Sequence, residues 1–332
     1  MQTLYSLAPA SEHHFANHPE HPGRLALLEL DQIPGLTAIP FPVASLGEVG
    51  RVHTTSMLAQ LEADCRQGEG IIDAAPTYVT RTSFQAALLA AGASLAVTRA
   101  VTKGTASNAF ALVRPPGHHA EPERSMGFCL LNNVAIAALD ALENGVERIF
   151  VVDYDAHHGN GTEKAFWNNP RAGYFSTHQE GIYPGSGWLE AAPHARGRIA
   201  NFPLPAYSGD ACFTHLFDQA LRPLLQAFQP GLIIVSAGFD AHWTYPLTAL
   251  GLSTAGYYAI SKQLVDLAQE ICFGKIVFVL EGGYDPRSVA HGVQAVFSAL
   301  TGTQPAQVND LSQYPEPDIS RRLDAFRKWH AI

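Results

Sequence analysis

Asp155, His157 and Asp240 are the residues of this sequence whose types and spacing best suit a bound metal ion. One residue separates Asp155 from His157, and residues two apart in an extended chain point to the same side, so that the carboxylate and the imidazole can reach one ion. Asp240 comes from a distant segment and can supply a third ligand. Two carboxylates and one imidazole leave a coordination position open, which is typical of a catalytic site. Zinc fits these ligands, and iron(II) fits them as well.

A histidine pair and a tyrosine could supply proton transfer and hydrogen bonding beside such an ion. His118 and His119 follow a Pro-Pro-Gly turn, and imidazole suits general acid–base catalysis because it titrates near neutral pH. Each ring needs a partner that fixes its tautomer, and Asp153 and Asn160 lie on the segment that carries the first two metal ligands. Tyr284 follows two glycines and could donate a hydrogen bond to an oxyanion.

The elements that must position these side chains are short apolar strands. Four segments predict such strands: Ala109–Val113, Arg148–Val152, Leu232–Val235 and Ile276–Leu280. Each of them runs directly into one of the polar clusters that contain the residues named above. Ligands of open parallel sheets bind beyond the carboxyl ends of the strands. We therefore expect the four clusters to converge on one cleft.

The remaining pattern predicts helices between the strands. The predicted helices are Ser83–Val101, Leu131–Glu143, Phe213–Phe228 (kinked or divided by Pro223), Thr254–Gln269, Arg287–Leu300 and a final short one, Ile319–Trp329. Strands that alternate with such helices predict a single α/β domain over residues 1–332, with a central, mainly parallel sheet. Gly173–Thr177 predicts a weaker strand. The first eighty residues, rich in proline and glycine, predict irregular structure with helical patches at Arg24–Leu30 and Met57–Gln67.

The composition disfavours several classes of protein. The chain has 332 residues with 21 basic and 30 acidic side chains, a net charge of −9, which argues against binding of nucleic-acid phosphates and suits a cationic partner. The four cysteines form no C-x-x-C pair, so a reducing compartment is favoured over a disulfide scaffold. We see no signal peptide and no run of the ~20 apolar residues that a membrane span needs. These features predict a cytoplasmic protein without direct contact to nucleic acid or membrane.

Six segments resemble, in the same order, motifs of the zinc-dependent histone deacetylase superfamily, which includes acetylpolyamine amidohydrolases and bacterial histone deacetylase-like amidohydrolases. They are Arg114–Ala120 (RPPGHHA), Met126–Asn133 (MGFCLLNN), Val152–Thr162 (VDYDAHHGNGT), Tyr183–Gly187 (YPGSG), Ser236–Ala241 (SAGFDA) and Glu281–Tyr284 (EGGY). The resemblance implies a three-layer α/β fold of the arginase/deacetylase type, hydrolysis of a linear amide C–N bond, and a bacterial origin.

The resemblance also assigns roles to the residues at matching positions. It implies one zinc ion per chain, and a monovalent cation site that is usually filled by potassium. The implied roles are zinc ligand (Asp155, His157, Asp240), general base and acid (His119), companion histidine (His118, oriented by Asp153), carbonyl-polarising phenol (Tyr284), tunnel wall (Gly127, Phe128, Tyr183) and cation site (Asp153, Ser176 and the backbone carbonyl groups of Asp155, His157 and Thr177).

Two positions depart from parts of the family. Asn160 stands where one branch has an aspartate beside the second histidine, and asparagine is similar to the class II and bacterial branch. A neutral partner should leave His119 less basic. Many members carry a carboxylate at the rim that holds the substrate backbone, whereas Pro76 takes this place here and Asp73 is the nearest acid. We therefore expect weak binding of a peptide backbone.

The expected activity is removal of acetyl or other short acyl groups from lysine side chains of proteins or peptides. Deacetylation of small acetylated amines such as acetylpolyamines stays open, although the sequence near Leu247 offers no acid for a distant ammonium group. An arginase-like binuclear manganese hydrolase is disfavoured, because Gly159 occupies the place of a further carboxylate ligand. A non-enzymatic acyl binder is disfavoured because the catalytic positions are intact. A homo-oligomer is left open.

Overall fold

The computed structural model describes residues 2–332, and its central feature is an eight-stranded sheet. The strands of the described chain are β1 (Thr3–Ala8), β2 (Leu36–Ala38), β3 (Gly70–Ile71), β4 (Tyr78–Val79), β5 (Asn108–Val113), β6 (Ile149–Asp153), β7 (Ala172–Gln179), β8 (Ile199–Leu204), β9 (Leu232–Ala237) and β10 (Ile276–Leu280). β3 and β4 form a separate antiparallel pair, and the other eight make the sheet.

Helices cover both faces of this sheet. They are α1 (Leu46–Val49), α2 (Thr55–Gln67), α3 (Ser83–Thr102), α4 (Asn133–Glu143), α5 (Asn160–Phe166), α6 (Asp210–Leu216), α7 (Arg222–Phe228), α8 (Thr254–Cys272), α9 (Pro286–Thr301) and α10 (Ser320–His330). A π-helical turn, Phe217–Leu221, separates α6 from α7. The division predicted at Pro223 is therefore present, because proline occupies the first turn of α7, where it costs no hydrogen bond.

The sheet has the order β2-β1-β5-β10-β9-β6-β7-β8, and every pairing within it is parallel. The predicted parallel α/β architecture is thereby confirmed. β5, β10, β9 and β6 are the four strands that precede the polar clusters, and they are neighbours in the sheet. Their carboxyl ends therefore meet at one edge, as the pattern predicts.

Alternating side chains of the strands build two cores, one on each face of the sheet. In β5, Phe110 and Leu112 contribute to a core closed by α8, α9 and α10. Ala109, Ala111 and Val113 of the same strand face the opposite core, which α2, α3 and α4 close. Burial on both faces explains why these strands are continuous apolar runs rather than alternating ones.

The prediction of irregular structure for the first eighty residues is wrong in part. β1 pairs with β5 over its whole length and continues the sheet. Its sequence hides this role, because Thr3 and Ser6 are polar, yet both are buried. Their hydroxyl groups donate to the backbone oxygens of Leu300 and Ala93, which satisfies them inside the two cores. The predicted patch at Arg24–Leu30 is reduced to two short 3₁₀ turns, whereas the patch in α2 is a helix of 13 residues.

Two further elements were not predicted from the pattern. β8 contains Asn201 and Pro203, which interrupt its apolar run, and proline fits this strand because β8 lies at the edge of the sheet. α5 is a helix of seven residues that begins at Asn160, within the segment expected to be a polar loop.

Helix α3 is long and apolar enough to cross a membrane by length and composition alone. In the structure, however, 67% of its most apolar stretch is buried inside the protein, and the helix packs against β1, β5 and α4. A central core helix meets the same criterion of length and hydropathy. Its location therefore explains its composition without a membrane.

Candidate active site

Three potential metal ligands lie together at the carboxyl edge of the sheet. Asp155 and His157 follow β6, and Asp240 follows β9. The Nδ1 atom of His157 lies 3.1 Å from Asp155 Oδ1 and 3.1 Å from Asp240 Oδ2. One ligand atom from each residue lies within 4.8 Å of the others. We call these three residues the floor of the site.

The floor has the charge that a cation needs. The Asp155 and Asp240 side chains are 0% and 1% exposed, and among residues 2–332 no lysine or arginine pairs with either of them. Burial raises the pKa of Asp240, and the like charge of Asp155 raises it further. Buried carboxylates are usually paired or coordinate a metal, so this group of donors fits a divalent ion.

Gly282 allows the two carboxylates to approach each other. Its backbone N–H donates to Asp155 Oδ2 at 2.8 Å. A Cβ atom at this position would overlap the carboxylates of both Asp155 and Asp240. The glycine after β10 is therefore required by the close approach of the floor residues.

His118 and His119 lie side by side next to the floor, with ring centroids 4.0 Å apart. Their partners are those predicted: His118 Nδ1 lies 3.1 Å from Asp153 Oδ2, and His119 Nδ1 lies 2.9 Å from Asn160 Oδ1. The loop that carries them is held by Glu281, whose Oε2 accepts the backbone N–H groups of positions 117 and 118 at 2.6 and 3.0 Å.

The pKa values of the two rings are shifted in opposite directions. Burial would lower the pKa of His118, but the Asp155 and Asp153 carboxylates outweigh burial and raise it to about 10. Burial lowers the pKa of His119 well below its ordinary value, and the neighbouring His118 and His157 lower it further. Burial therefore favours the uncharged form of His119, which can accept a proton, whereas the two carboxylates favour a proton on His118. Such a separation of neighbouring pKa values is typical of acid–base assignments in enzymes.

Tyr284 lines the same cavity and remains protonated. Burial raises the pKa of its phenol well above the usual value, so that the hydroxyl group can donate a hydrogen bond. The Arg24 guanidinium lies 4.6 Å from the centroid of the Tyr284 ring, and the same guanidinium donates to the Gly282 backbone oxygen at 2.9 Å. Arg24 therefore fixes the segment that carries the tyrosine.

The cavity has a volume of about 240 Å³ and leads from the floor to the surface. Phe128 and Tyr183 form part of its walls, and the Tyr183 ring packs edge-on against His119 with centroids 5.1 Å apart. Ala75, Tyr245 and Leu247 line it as well. Tyr245 is buried beside Tyr284, and we call Ala75 and Leu247 the mouth. The carboxylates of the lining are Asp155 and Asp240, both in the floor.

The wall at Phe128 is held in an unusual backbone conformation. Gly127 and Phe128 have φ values of +59° and +66°, and the second is uncommon for a residue with a side chain. The Gly127 N–H donates to Asp73 Oδ2 at 3.1 Å, and the Phe128 N–H donates to Thr77 Oγ1 at 2.8 Å. Asp73 Oδ1 accepts the Thr77 N–H at 2.6 Å. Both carboxylate oxygens of Asp73, the acid nearest the rim, therefore accept hydrogen bonds from the backbone.

The residues of the predicted monovalent cation site lie behind the floor. Asp153 and Ser176 face each other in the register of β6 and β7. The Thr177 hydroxyl group lies 3.4 Å from the Asp153 backbone oxygen, while the Ser176 hydroxyl contacts His178 Nδ1 at 2.9 Å. The structure brings these side chains together. Their contacts do not show which cation would bind there.

A second group of His118, Cys129 and Glu281 also lies within metal-binding distance in the described chain. Its carboxylate already has partners, because one Glu281 oxygen accepts two backbone N–H groups and the other contacts the Ser236 hydroxyl at 3.3 Å. The His118 ring is bonded to Asp153. This group therefore braces the histidine loop.

The sequence pattern did not reveal two buried contacts that charged side chains of the N-terminal segment make. Arg24 reaches the tyrosine segment, and Glu20 forms a buried ion pair with Arg114 at 2.6 Å. The RPPGHH motif begins with Arg114, so this pair anchors the start of the histidine loop. No local pattern reveals these contacts, because their partners lie far along the chain.

Comparisons with known proteins agree with this geometry. The sequence family described as the histone deacetylase domain matches residues 18–300 of the chain. The chain belongs to the histone deacetylase family. The resemblance carried by the six motifs is thereby confirmed, and membership makes the chain a hydrolase that acts on amides, with deacetylation as the supported reaction.

Several histone deacetylase relatives match most of the chain. "Histone deacetylase 14, chloroplastic" of Arabidopsis thaliana is 39% identical over 90% of this chain and 76% of its own length. A "Probable deacetylase" of Archaeoglobus fulgidus is 37% identical, with 93% and 88% covered. The "Histone deacetylase-like amidohydrolase" of Pseudomonas aeruginosa is 36% identical, with 93% and 82% covered. Since these relatives come from plants, archaea and bacteria, a bacterial origin and a cytoplasmic location stay predictions.

A solved histone deacetylase structure has the same fold. The crystal structure of the HDA15 HD domain superposes with a TM-score of 0.84 at 33% sequence identity, and 91% of each chain is covered. The expected fold of the arginase/deacetylase type is therefore confirmed.

Proposed function

We propose that the chain is a zinc-dependent amidohydrolase that removes acetyl or other short acyl groups from lysine side chains of proteins or peptides. The observation that supports this most strongly is the single cavity in which the floor, two histidines and a phenol converge. These groups come from four neighbouring strand ends, and together they supply the parts that amide hydrolysis needs. The proposed catalytic domain comprises residues 1–332.

Asp155, His157 and Asp240 would hold the zinc ion. The bound metal would supply Lewis acidity for the substrate carbonyl and lower the pKa of a water molecule from ~15.7 toward ~7. The described residues contain no second cluster of side chains that is free to bind a metal, because the group around Glu281 is already hydrogen-bonded. One divalent ion per chain is therefore proposed, rather than an arginase-like pair.

The two histidines would move the protons of the reaction. His119 accepts a proton from the attacking water at Nε2 because its Nδ1 is bonded to Asn160. The water oxygen adds to the carbonyl carbon, and the Tyr284 hydroxyl donates to the oxyanion that forms. A protonated histidine of the pair then delivers its proton to the amine nitrogen as the C–N bond breaks. The products are a carboxylate and a free amine.

The walls and the mouth favour acyl-lysine as the substrate class. Phe128 and Tyr183 offer apolar surface to the alkyl part of a lysine side chain. An acetylated polyamine would bring a second ammonium group to the mouth, where the lining has no carboxylate to pair with it. This absence favours lysine over polyamines and agrees with the expectation drawn from the sequence near Leu247.

Two finer assignments are proposed from the family resemblance. Asp153, Ser176 and the backbone carbonyl groups of Asp155, His157 and Thr177 would bind a potassium ion behind the floor. Its proposed role is structural, because Asp153, Ser176 and Thr177 lie in two paired strands and are absent from the cavity lining. The proposed partners are acylated proteins or peptides, and formation of a homo-oligomer is left to measurement.

A substrate panel on protein of measured metal content tests the function. Acetyl-lysine peptides, longer acyl-lysine peptides and acetylated polyamines are compared, with the Tyr284→Phe variant as a matched control for activity outside the site. We expect one zinc per chain and a higher kcat/KM for acyl-lysine peptides. Faster turnover of acetylpolyamines would show that they, and not acyl-lysine peptides, are the substrate class. Two metal ions per chain would contradict the mononuclear site.

A further inference from the structure

Asn160 connects the reacting histidine to a carboxylate outside the cavity. Its Oδ1 atom lies 2.9 Å from His119 Nδ1, and its Nδ2 atom donates to Glu121 Oε1 at 2.9 Å. The Asn160 side chain therefore bridges a catalytic ring and a group that lines a separate cavity of about 630 Å³. Glu121 is absent from the lining of the reaction cavity.

Glu121 is held as an ionised carboxylate. The Arg124 Nε atom donates to its Oε2 at 3.0 Å, and Lys164 Nζ lies 3.1 Å from the same oxygen. An ionised carboxylate accepts hydrogen bonds and cannot donate them. The end of the Asn160 amide that faces Glu121 must therefore be the NH₂ group, and the carbonyl oxygen must face His119.

This orientation of the amide selects the tautomer of His119. A carbonyl oxygen accepts only, so that the Nδ1 atom of a neutral His119 must carry the hydrogen. The Nε2 atom then presents its lone pair to the cavity, where a base is needed. An amide turned by 180° would offer NH₂ to Nδ1 and would place the hydrogen on Nε2, which blocks proton acceptance there.

We infer that Glu121 is a positioning residue that fixes the polarity of Asn160 and thereby keeps His119 in the tautomer that accepts a proton at Nε2. The inference rests on the proposed function, in which His119 is the base. It adds a residue that touches neither substrate nor metal ligands. The backbone of Glu121 is itself fixed, since its carbonyl oxygen lies 3.0 Å from the Nδ1 atom of His53.

The first test compares Glu121→Gln with Glu123→Gln. Glutamine at position 121 can present either end of its amide, so the polarity of Asn160 is no longer imposed. Glu123 also pairs with Lys164, at 2.7 Å, but does not contact Asn160, so its substitution is a matched control. We expect kcat of Glu121→Gln to fall about tenfold with KM within about twofold, and Glu123→Gln to retain wild-type kcat.

The second test introduces a carboxylate at position 160. In Asn160→Asp two carboxylates lie in hydrogen-bond contact and repel each other, and Glu121→Gln relieves this by supplying a donor. We therefore expect Glu121→Gln to lower kcat in the wild-type background and to raise it in the Asn160→Asp background. Equal effects in both backgrounds would overturn the inference, and thermal unfolding of each variant shows whether the fold is retained.

The third test reads the tautomer directly in the full-length, metal-loaded protein. Long-range ¹H–¹⁵N spectra of histidine-labelled protein distinguish hydrogen on Nδ1 from hydrogen on Nε2, and His119→Gln assigns the signal. We expect the Nδ1–H form in the wild type and in Glu123→Gln, and a mixture in Glu121→Gln. An unchanged Nδ1–H form in Glu121→Gln would refute the inference. If the tautomer changes as expected but no amide is hydrolysed by the wild type, the proposed function fails while the positioning role stands.

Discussion

The floor and the mouth of the cavity are built in different ways. The floor residues follow β6 and β9. Their two carboxylates are almost fully buried and accept hydrogen bonds from backbone N–H groups at the strand ends. The mouth consists of loop residues, and Leu247 is 64% exposed. Phe128 lies in the cavity wall, and two hydrogen bonds to another loop hold its backbone conformation.

This difference separates chemistry from specificity. Strand ends in a sheet buried on both faces cannot shift independently, so they suit groups that must stay in place within a fraction of an ångström. Loops tolerate substitution, so they suit groups that select a substrate. Changes in the floor should therefore abolish the reaction, and changes in the mouth should redirect it.

Asp240→Asn should have the largest effect. The amide oxygen still accepts the Ala156 N–H, which Asp240 Oδ1 accepts at 2.9 Å, but a neutral amide is a poor ligand for a divalent ion. We expect loss of bound metal and a fall in kcat/KM of about 1,000-fold or more. Metal analysis and steady-state kinetics measure this, and a variant that keeps both metal and activity would remove Asp240 from the site.

Tyr284→Phe should have the second-largest effect on activity. The ring remains beside Arg24 and Phe128, and only the donor to the oxyanion is lost. We expect kcat to fall about 100-fold with the metal content unchanged. Full activity of this variant, measured with an acetyl-lysine peptide, would show that the phenol does not act in the transition state.

Acid should weaken the contacts that His53 makes with the backbone of Glu121 and Asn132. His53 Nε2 accepts the Asn132 N–H at 2.8 Å and is buried, and burial lowers the His53 pKa from 6.5 to about 4. Between these values the unfolded chain binds the proton and the folded chain does not, so stability is complete above pH 6.5 and falls as the pH approaches 4.

This contribution of His53 amounts to about 3 kcal/mol. Urea unfolding should show about 2 kcal/mol of this loss between pH 7 and pH 5, and His53→Gln, which can donate and accept without titrating, is the control. The pH dependence should be weaker in this variant, and an identical slope in both proteins would show that His53 is not responsible.

Leu247→Glu should redirect the mouth without altering the floor. A carboxylate at the entrance can pair with the distant ammonium of an acetylated polyamine, and such a pair at an exposed site contributes about 1 kcal/mol. We expect kcat/KM for acetylpolyamines to rise about fivefold, while the acetyl-lysine peptide changes less. Phe273→Glu, at an exposed position before the amino end of β10, serves as the charge-matched control and should change neither substrate.

Asp73→Ala should have the smallest effect and tests what this acid does. Its two oxygens hold the backbone of Gly127 and Thr77, so its loss should loosen the wall at Phe128. We expect KM to rise about threefold to fivefold for acetyl-lysine peptides and for a small acetylated amine alike. A rise confined to peptides would instead show that Asp73 binds the substrate backbone.

The meeting of the floor residues could be predicted because each follows an apolar strand. Asp155 and Asp240 lie just beyond the ends of β6 and β9, and parallel strands necessarily bring their carboxyl ends together. The mainly parallel fold was predictable for the same reason. The family membership followed from six ordered motifs, whose residues include most of the cavity lining.

The N-terminal segment and the mouth were harder to predict for physical reasons. β1 contains Thr3 and Ser6, whose hydroxyl groups are satisfied by helices far along the chain, and no local pattern reports such partners. Arg24 reaches Gly282 across more than two hundred positions of sequence. Tyr245 and Leu247 line the cavity because of the path of a loop, which periodicity does not describe.

The absence of a side chain at Gly282 has a consequence for attempts to alter this enzyme in the laboratory. Any replacement at that position would push apart the two acids beneath it, so combinatorial libraries that randomise it would yield mostly inactive clones. Diversity is better directed to positions 75 and 247 of the mouth, because Tyr245 is buried and its ring lies 6.3 Å from that of Tyr284.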